Sequence, residues 1–225
     1  MFERYAVFYT ASAGAFADFG AAWLGWDSAT AQRVDHPEGT GLDLGKLTRT
    51  PRKYGFHATL KAPFHLADGQ SEPALKEAVT ALAKRQKPVA LGKLALDHGH
   101  GFLALRPTFD PAPLRDLVGD IVRDLDRFRA PLGAADIARR RKARLTPRQD
   151  QQMLDWGYPY IFEDFNFHMT LSGFLPAAQA APVLPVLEQA LAPVLPAAPV
   201  LDAITLMGQD GAGLFHQIHR AALSA

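Results

Sequence analysis

The sequence predicts an α+β protein, a duplicated, two-lobed fold with antiparallel sheets lining a central cleft and helices outside. Three observations predict it. The word Tyr54–Leu60 (YGFHATL) returns as Phe165–Leu171 (FNFHMTL), with its histidines 111 positions apart. Each copy opens the same order, a strand with the repeated word, then helix, then hairpin, and self-similarity at a long offset is the sign of a duplicated unit. Short aromatic and β-branched runs read as strands, and two pairs of them read as hairpins, around DHGHG and GQDGAG.

Arg4–Tyr9 (RYAVFY) reads as a first strand. Ala15–Leu24 places Phe16, Phe19 and Trp23 at helical spacing. From Asp27 to Thr50 the chain lacks periodicity and reads as a long loop of the kind that serves sites. Tyr54–Lys61 reads as a strand, and Ser71 caps a helix carrying Leu75, Val79 and Leu82. Val89–Leu96 and Phe102–Leu105 form a hairpin across DHGHG. Pro111–Phe128 has an apolar stripe from Leu114 to Leu125 and is an amphipathic helix. Ala138–Trp156, with its basic run, forms helical turns broken near Pro147. Tyr160–Leu171 reads as a second long strand, Pro176–Leu195 as a helix interrupted at Pro182 and Pro185, and Val200–His219 as a hairpin around GQDGAG. The whole chain, 1–225, is expected to be a single compact domain of two pseudo-symmetric lobes, each with one His-x-Thr strand, around 54–61 and 160–172.

Composition narrows the function. Hydrophobic residues make up 48% and charged residues 21%, and 24 Lys+Arg against 23 Asp+Glu leave a net charge of +1. A globular protein so balanced has no global attraction to nucleic acid or an anionic membrane, so any polyanion site is local. Without cysteine there are no disulfides, thiolate metal sites or cysteine nucleophiles. Residues 1–25 read as strand and helix instead of a signal peptide, and no apolar run is long enough to span a bilayer. A cytoplasmic protein without membrane partners is expected.

On a strand, His57 and Thr59 share one face while Phe56, Ala58 and Leu60 share the other. The same alternation sets His168 and Thr170 opposite Phe167, Met169 and Leu171. If the lobes meet through equivalent surfaces, two imidazoles and two hydroxyls line one cleft. A neutral His can take a proton from an attacking hydroxyl, and a protonated His can give one to a leaving oxygen. The threonines can hydrogen-bond the non-bridging oxygens of a phosphodiester. This scheme requires no metal and no cofactor. A duplicated core with structurally satisfied histidines is the competing reading.

These motifs, HAT at 57–59 and HMT at 168–170, resemble those of the 2H phosphoesterase superfamily. The longer contexts RKYGFHATLKAPF and FEDFNFHMTLSGF look like its uncharacterised branch associated with phosphonate-utilisation operons. The resemblance implies a metal-independent phosphoesterase with His57 and His168 as acid and base and Thr59 and Thr170 as phosphate ligands. Its implied substrate is a cyclic phosphodiester on a small ribose-like sugar phosphate. RNA 2′,3′-cyclic phosphate processing, by a phosphodiesterase or ligase, is the alternative, and a non-catalytic phosphosugar-binding module is a third.

Further candidates surround the words. Strict alternation puts Lys53 and Lys61 on the His57 face, with Tyr54 beside them, so all three are candidate substrate contacts. The equivalent positions in the second copy are Asp164 and Ser172. Arg140 and Arg144, in the run from Arg139 to Arg148, could grip a second phosphate, although a solvated helical face is the commoner meaning of such a run. His98–His100 and His216–His219 lack the further ligands a metal would need. The expected partner is therefore a small phosphorylated molecule, with RNA second.

Overall fold

A computed structural model describes residues 2–109 and 111–225. The chain forms β1 (Arg4–Thr10), α1 (Ala15–Leu24), a short α2 (Leu44–Leu47), β2 (His57–Phe64), α3 (Glu72–Ala83), β3 (Val89–Ala90), β4 (Leu94–Asp97) and β5 (Ala104–Pro107). It continues through α4 (Ala112–Asp124), α5 (Ala134–Arg141), α6 (Pro147–Trp156), β6 (Met169–Thr170), α7 (Ala177–Ala180), α8 (Val183–Leu191), β7 (Val200–Leu201), β8 (Ala203–Gln209) and β9 (Phe215–Ala222). The fold is α+β, as predicted.

Local chemistry explains the helices. The Ser71 side chain accepts from the Ala74 N–H at the start of α3, whose Leu75, Val79 and Leu82 are buried. In α4 the buried set is Leu114, Leu117, Val118, Ile121 and Val122, the predicted stripe. Thr146 and Gln149 form a reciprocal capping box on α6, which separates it from α5 near the expected proline. Pro182 lies between α7 and α8, and Pro185 falls in the first turn of α8, where its missing N–H costs nothing.

Seven strands make one antiparallel sheet in the order β4-β5-β6-β2-β1-β8-β9, and β3 pairs with β7 in a second, two-stranded sheet. The repeated order is thus realised, with exchange between the copies. The β4–β5 hairpin that follows the first word lies on β6, and the β8–β9 hairpin that follows the second lies on β1, the neighbour of β2. Core side chains such as Val7, Leu60, Met169 and Leu206 pack with those of α1, α3, α4 and α8 in one cluster. The opposite face carries a smaller cluster of Ala6, Phe8, Met207 and Phe215, and it is left for the cleft.

Two strand expectations need correcting. The first word does not begin its strand at Tyr54: residues Pro51–Tyr54 form a 3-10 turn, and Gly55 (φ 73°, ψ −177°) redirects the chain so that β2 starts at His57. The second word is mostly irregular. A 3-10 turn at Phe162–Asp164, entered through Phe162 at φ 50°, leaves only Met169–Thr170 in the ladder. The predicted Val89–Leu96 strand is likewise split at Gly92, which adopts φ 67°.

Candidate active site

The two words meet as neighbouring strands, side by side in one sheet and not across two facing surfaces. Ala58 lies opposite Met169, both fully buried against the core. Antiparallel alternation about that pair sets His57 toward Thr170 and Thr59 toward His168 on the other face. Each imidazole is therefore matched with the other copy's hydroxyl. The two histidines are diagonal neighbours, a relation that sets residues about 7–8 Å apart, their Cβ atoms somewhat less, and leaves room for one phosphate.

All four side chains line a cleft of about 630 Å³, together with Tyr54, Phe102, Tyr158, Ser172 and Phe174 and the arginines Arg4, Arg139 and Arg140. This volume suits a small molecule. An adjoining cavity of about 490 Å³ shares Thr59, Phe102, Tyr158 and His168 with it and adds Arg106, Tyr160 and Phe165.

The histidines are oriented in the same way. His57 Nδ1 lies 2.9 Å from the Gly55 carbonyl and His168 Nδ1 lies 2.8 Å from the Asn166 carbonyl, each two residues upstream. A carbonyl only accepts, so each Nδ1 carries the proton and each Nε2 is left basic. His57 Nε2 is 3.2 Å from Thr59 Oγ1, which donates to it in the neutral state. His57 is 8% exposed and is wedged by Phe8, with ring centroids 4.0 Å apart, and by the stacked ring of Tyr54 at 5.6 Å. Burial pushes its pKa down to about 4, partly opposed by the Gly55 hydrogen bond. The His168 pKa is also lowered, mainly by burial, with the Asn166 hydrogen bond opposing and Arg106 and His100 adding to the depression. Both imidazoles are bases poised neutral.

The remaining candidates divide. Tyr54 lines the cleft and stacks on Phe215 at 5.1 Å, and Arg140 lines it as well. Lys53 is exposed on the 3-10 turn, and Arg144 is exposed after α5 at φ 53°; neither lines the cleft.

Lys61 is turned away. The β1–β2 register runs Phe8↔Thr59 and then Val7↔Lys61, so an extra residue forms a β-bulge, and Lys61 joins Leu60 on the core side instead of following His57 and Thr59. There it is 4% exposed, and its Nζ donates to the Val122 carbonyl at 3.1 Å and to Asp126 at 3.3 Å. Burial lowers its pKa to about 8 against the pull of Asp126.

Three arginines of the basic run are paired. Arg141 forks onto Asp150, Arg148 onto Asp164, and Arg139 bonds Asp136. Arg4 and Tyr158 are cleft residues that the sequence reading missed. Arg4 shares the alternation Arg4, Ala6, Phe8 on β1, a signal that becomes readable only when Phe8 is known to pair with Thr59. Among the described residues no group of three or more His, Asp or Glu side chains converges as a metal site.

The site is an antiparallel sheet in which β2 and the segment leading into β6 bring both His-x-Thr words to one cleft. The chain belongs to the family described as Protein of unknown function (DUF1045), whose model matches residues 59–216. It is 36% identical over 221 residues to a protein of Janthinobacterium sp. (strain Marseille) named ribose 1,5-bisphosphate phosphokinase PhnN, covering 93% of this chain and 48% of that protein. A protein of the same name from Laribacter hongkongensis (strain HLHK9) is 36% identical over 173 residues, covering 76% of this chain and 40% of that one. The chain thus spans about half the length of the curated relatives it matches. A solved structure described as a phosphoesterase aligns over 100% of both chains at 14% identity and TM-score 0.46. E. coli LigT complexed with 3′-AMP aligns over 100% of both at 13% identity and TM-score 0.46, and scores this low transfer neither activity nor site.

Proposed function

We propose that the chain is a metal-independent phosphoesterase that opens a cyclic phosphodiester on a small ribose-like sugar phosphate. The observation that carries this reading is the crossed arrangement of two Nδ1-anchored histidines and two threonines around one cleft. His57, deeply buried and held neutral, takes a proton from an attacking water at Nε2. The water oxygen bonds to phosphorus and the ring P–O bond breaks. His168, protonated when the anionic substrate has entered, gives its proton to the leaving oxygen. Thr59 and Thr170 donate to the non-bridging oxygens as charge grows on them. The product is a phosphomonoester with a free neighbouring hydroxyl.

The donors lining the cleft are imidazoles, hydroxyls and guanidiniums, with no carboxylate among the described residues that line it, a set that suits phosphate better than a divalent cation. The ribose-like substrate is supported by the relatives' name, which refers to ribose 1,5-bisphosphate. A place in phosphonate metabolism is what the resemblance of the motif contexts implies, and the relatives named PhnN support it. The test is turnover after EDTA treatment over a panel of cyclic ribose phosphates, nucleoside 2′,3′-cyclic phosphates and short RNAs ending in a cyclic phosphate. The account expects hydrolysis of a small cyclic ribose phosphate without added metal. Turnover confined to RNA would move the assignment to RNA-end processing, and binding of sugar phosphates without turnover would make the chain a binding module.

A further inference from the structure

The proposed chemistry uses the two histidines and two threonines, and leaves three arginines on the same cleft without a task. Arg4 enters from the first residue of β1, and Arg139 and Arg140 from the last turn of α5. They differ in how far their charge is already engaged. Arg139 bonds Asp136, and Arg4 is oriented by a 2.6 Å hydrogen bond from its Nε to Gln209. Arg140 is half-buried, its guanidinium lies 5.5 Å from the centre of the Tyr158 ring, and its Nε is a buried donor without a hydrogen-bond partner. Buried donors are ordinarily satisfied, so the unpartnered Nε marks a guanidinium of this cleft-lining residue that the protein itself does not fully engage. Burial lowers the Arg140 pKa, with Tyr158 and Asp136 opposing and the neighbouring charges of Arg139 and Arg4 adding to the depression, so the three cations lie near one another. A dianion placed among them would be attracted by all three.

The spacing sets what the anion is attached to. Arg4 is four residues along β1 from Phe8, which pairs with Thr59, so their backbones are separated by about 13 Å of strand. The arginine side chains line the same cleft as the histidines, and their length closes part of this gap to about the span of one small sugar phosphate.

We propose that Arg4, Arg139 and Arg140 form an anion subsite that grips a phosphomonoester carried by the same molecule whose cyclic diester sits between His57 and His168. The inference rests on the reaction proposed above and narrows its substrate to a sugar with two phosphate groups, one cyclic and one terminal. The terminal dianion takes the fork donors of Arg140 and fixes the direction in which the sugar lies across the cleft. A nucleoside cyclic phosphate lacks that group and leaves the subsite empty.

The test compares two cyclic ribose phosphates that differ only in a phosphomonoester on the 5-carbon, with wild type, Arg140→Gln and Arg140→Lys, each checked for folding by thermal melting. Binding of ribose 5-phosphate is measured separately by calorimetry on wild type, Arg140→Gln and His57→Ala. The expected results are a kcat/KM at least about tenfold higher for the 5-phosphorylated compound, lost in Arg140→Gln and partly restored in Arg140→Lys, the scale of one charged hydrogen bond. Ribose 5-phosphate should bind His57→Ala as it binds wild type, and bind Arg140→Gln more weakly. Equal turnover of both compounds, unchanged in Arg140→Gln, overturns the subsite and leaves the reaction standing. Arg140-dependent binding of ribose 5-phosphate with no turnover of either compound upholds the subsite and overturns the reaction.

Discussion

At the scale of single residues, the decisive feature is that each histidine donates Nδ1–H to a carbonyl two positions upstream, which leaves Nε2 as a base. Burial then keeps His57 neutral, and its proton balance with the unfolded chain gives a measurable consequence. Its pKa is about 4 in the folded protein against an ordinary 6.5, so above pH 6.5 it is neutral in both states and contributes no pH dependence. As pH falls from about 6.5 through about 4 the unfolded chain gains the proton first, and folding stability is lost. The loss approaches about 3 kcal/mol from this group. His57→Asn should flatten that part of the stability–pH curve, and an imidazole NMR titration should show His57 unprotonated at pH 5.5; a midpoint near 6.5 would contradict the burial argument. Lys61 offers the opposite case of a candidate assigned away from the site. Lys61→Met should cost about 1–3 kcal/mol in denaturant unfolding, because Asp126 and the Val122 carbonyl lose a donor, and should leave kcat/KM of the folded enzyme within about twofold. A large kcat/KM loss without destabilisation would return Lys61 to the site.

At the scale of elements, the two words behave differently although they read alike. The first sits on a full strand entered through Gly55, whose carbonyl is the His57 anchor and whose φ 73°, ψ −177° is a glycine-only conformation. A Cβ there would lie 2.9 Å from the Ser28 hydroxyl. Gly55→Ala should therefore cost about 2 kcal/mol in stability and also lower kcat, since the carbonyl that fixes the His57 tautomer must move. Unchanged kcat in a well-folded Gly55→Ala protein would show that this anchor is dispensable. The alternation of His57 and Thr59 was legible in the sequence, because period two follows from the chain alone. The reversal at Lys61 was not, because a bulge is a property of the pairing with β1 and leaves no mark in the residues themselves. The same reason explains why the second word was read as a long strand: its aromatics Phe165 and Phe167 look like strand residues, and they are buried by packing around an irregular segment.

At the scale of the whole molecule, the exchange of hairpins between the two copies is what places the words side by side. β3 and β7, which precede the two hairpins, pair with each other, so equivalent pieces of the two units hold the crossover. Repetition of strand, helix and hairpin was visible in the sequence, and it was enough to predict that two His-x-Thr pairs would share one cleft. Their crossed matching, His57 toward Thr170 and Thr59 toward His168, needed the register at Ala58 and Met169. Arg4 and the pairing of the basic run were hidden for a related reason. The partners of Arg141 and Arg148 are Asp150 and Asp164, close in sequence yet chosen by the folding of α6, whereas Arg4 and Arg140 are brought to one cleft only by the tertiary fold.

The central claim is that His57 and His168 act on one phosphodiester as a single proton-transfer unit. It is tested most directly by kcat for His57→Ala, His168→Ala and the double variant on the best cyclic phosphate, with EDTA present. Groups that act as a unit are not additive. The account predicts a loss of about 10²–10⁴-fold in each single variant and little further loss in the double. Wild-type turnover in either single variant, or losses that simply multiply in the double, would contradict it.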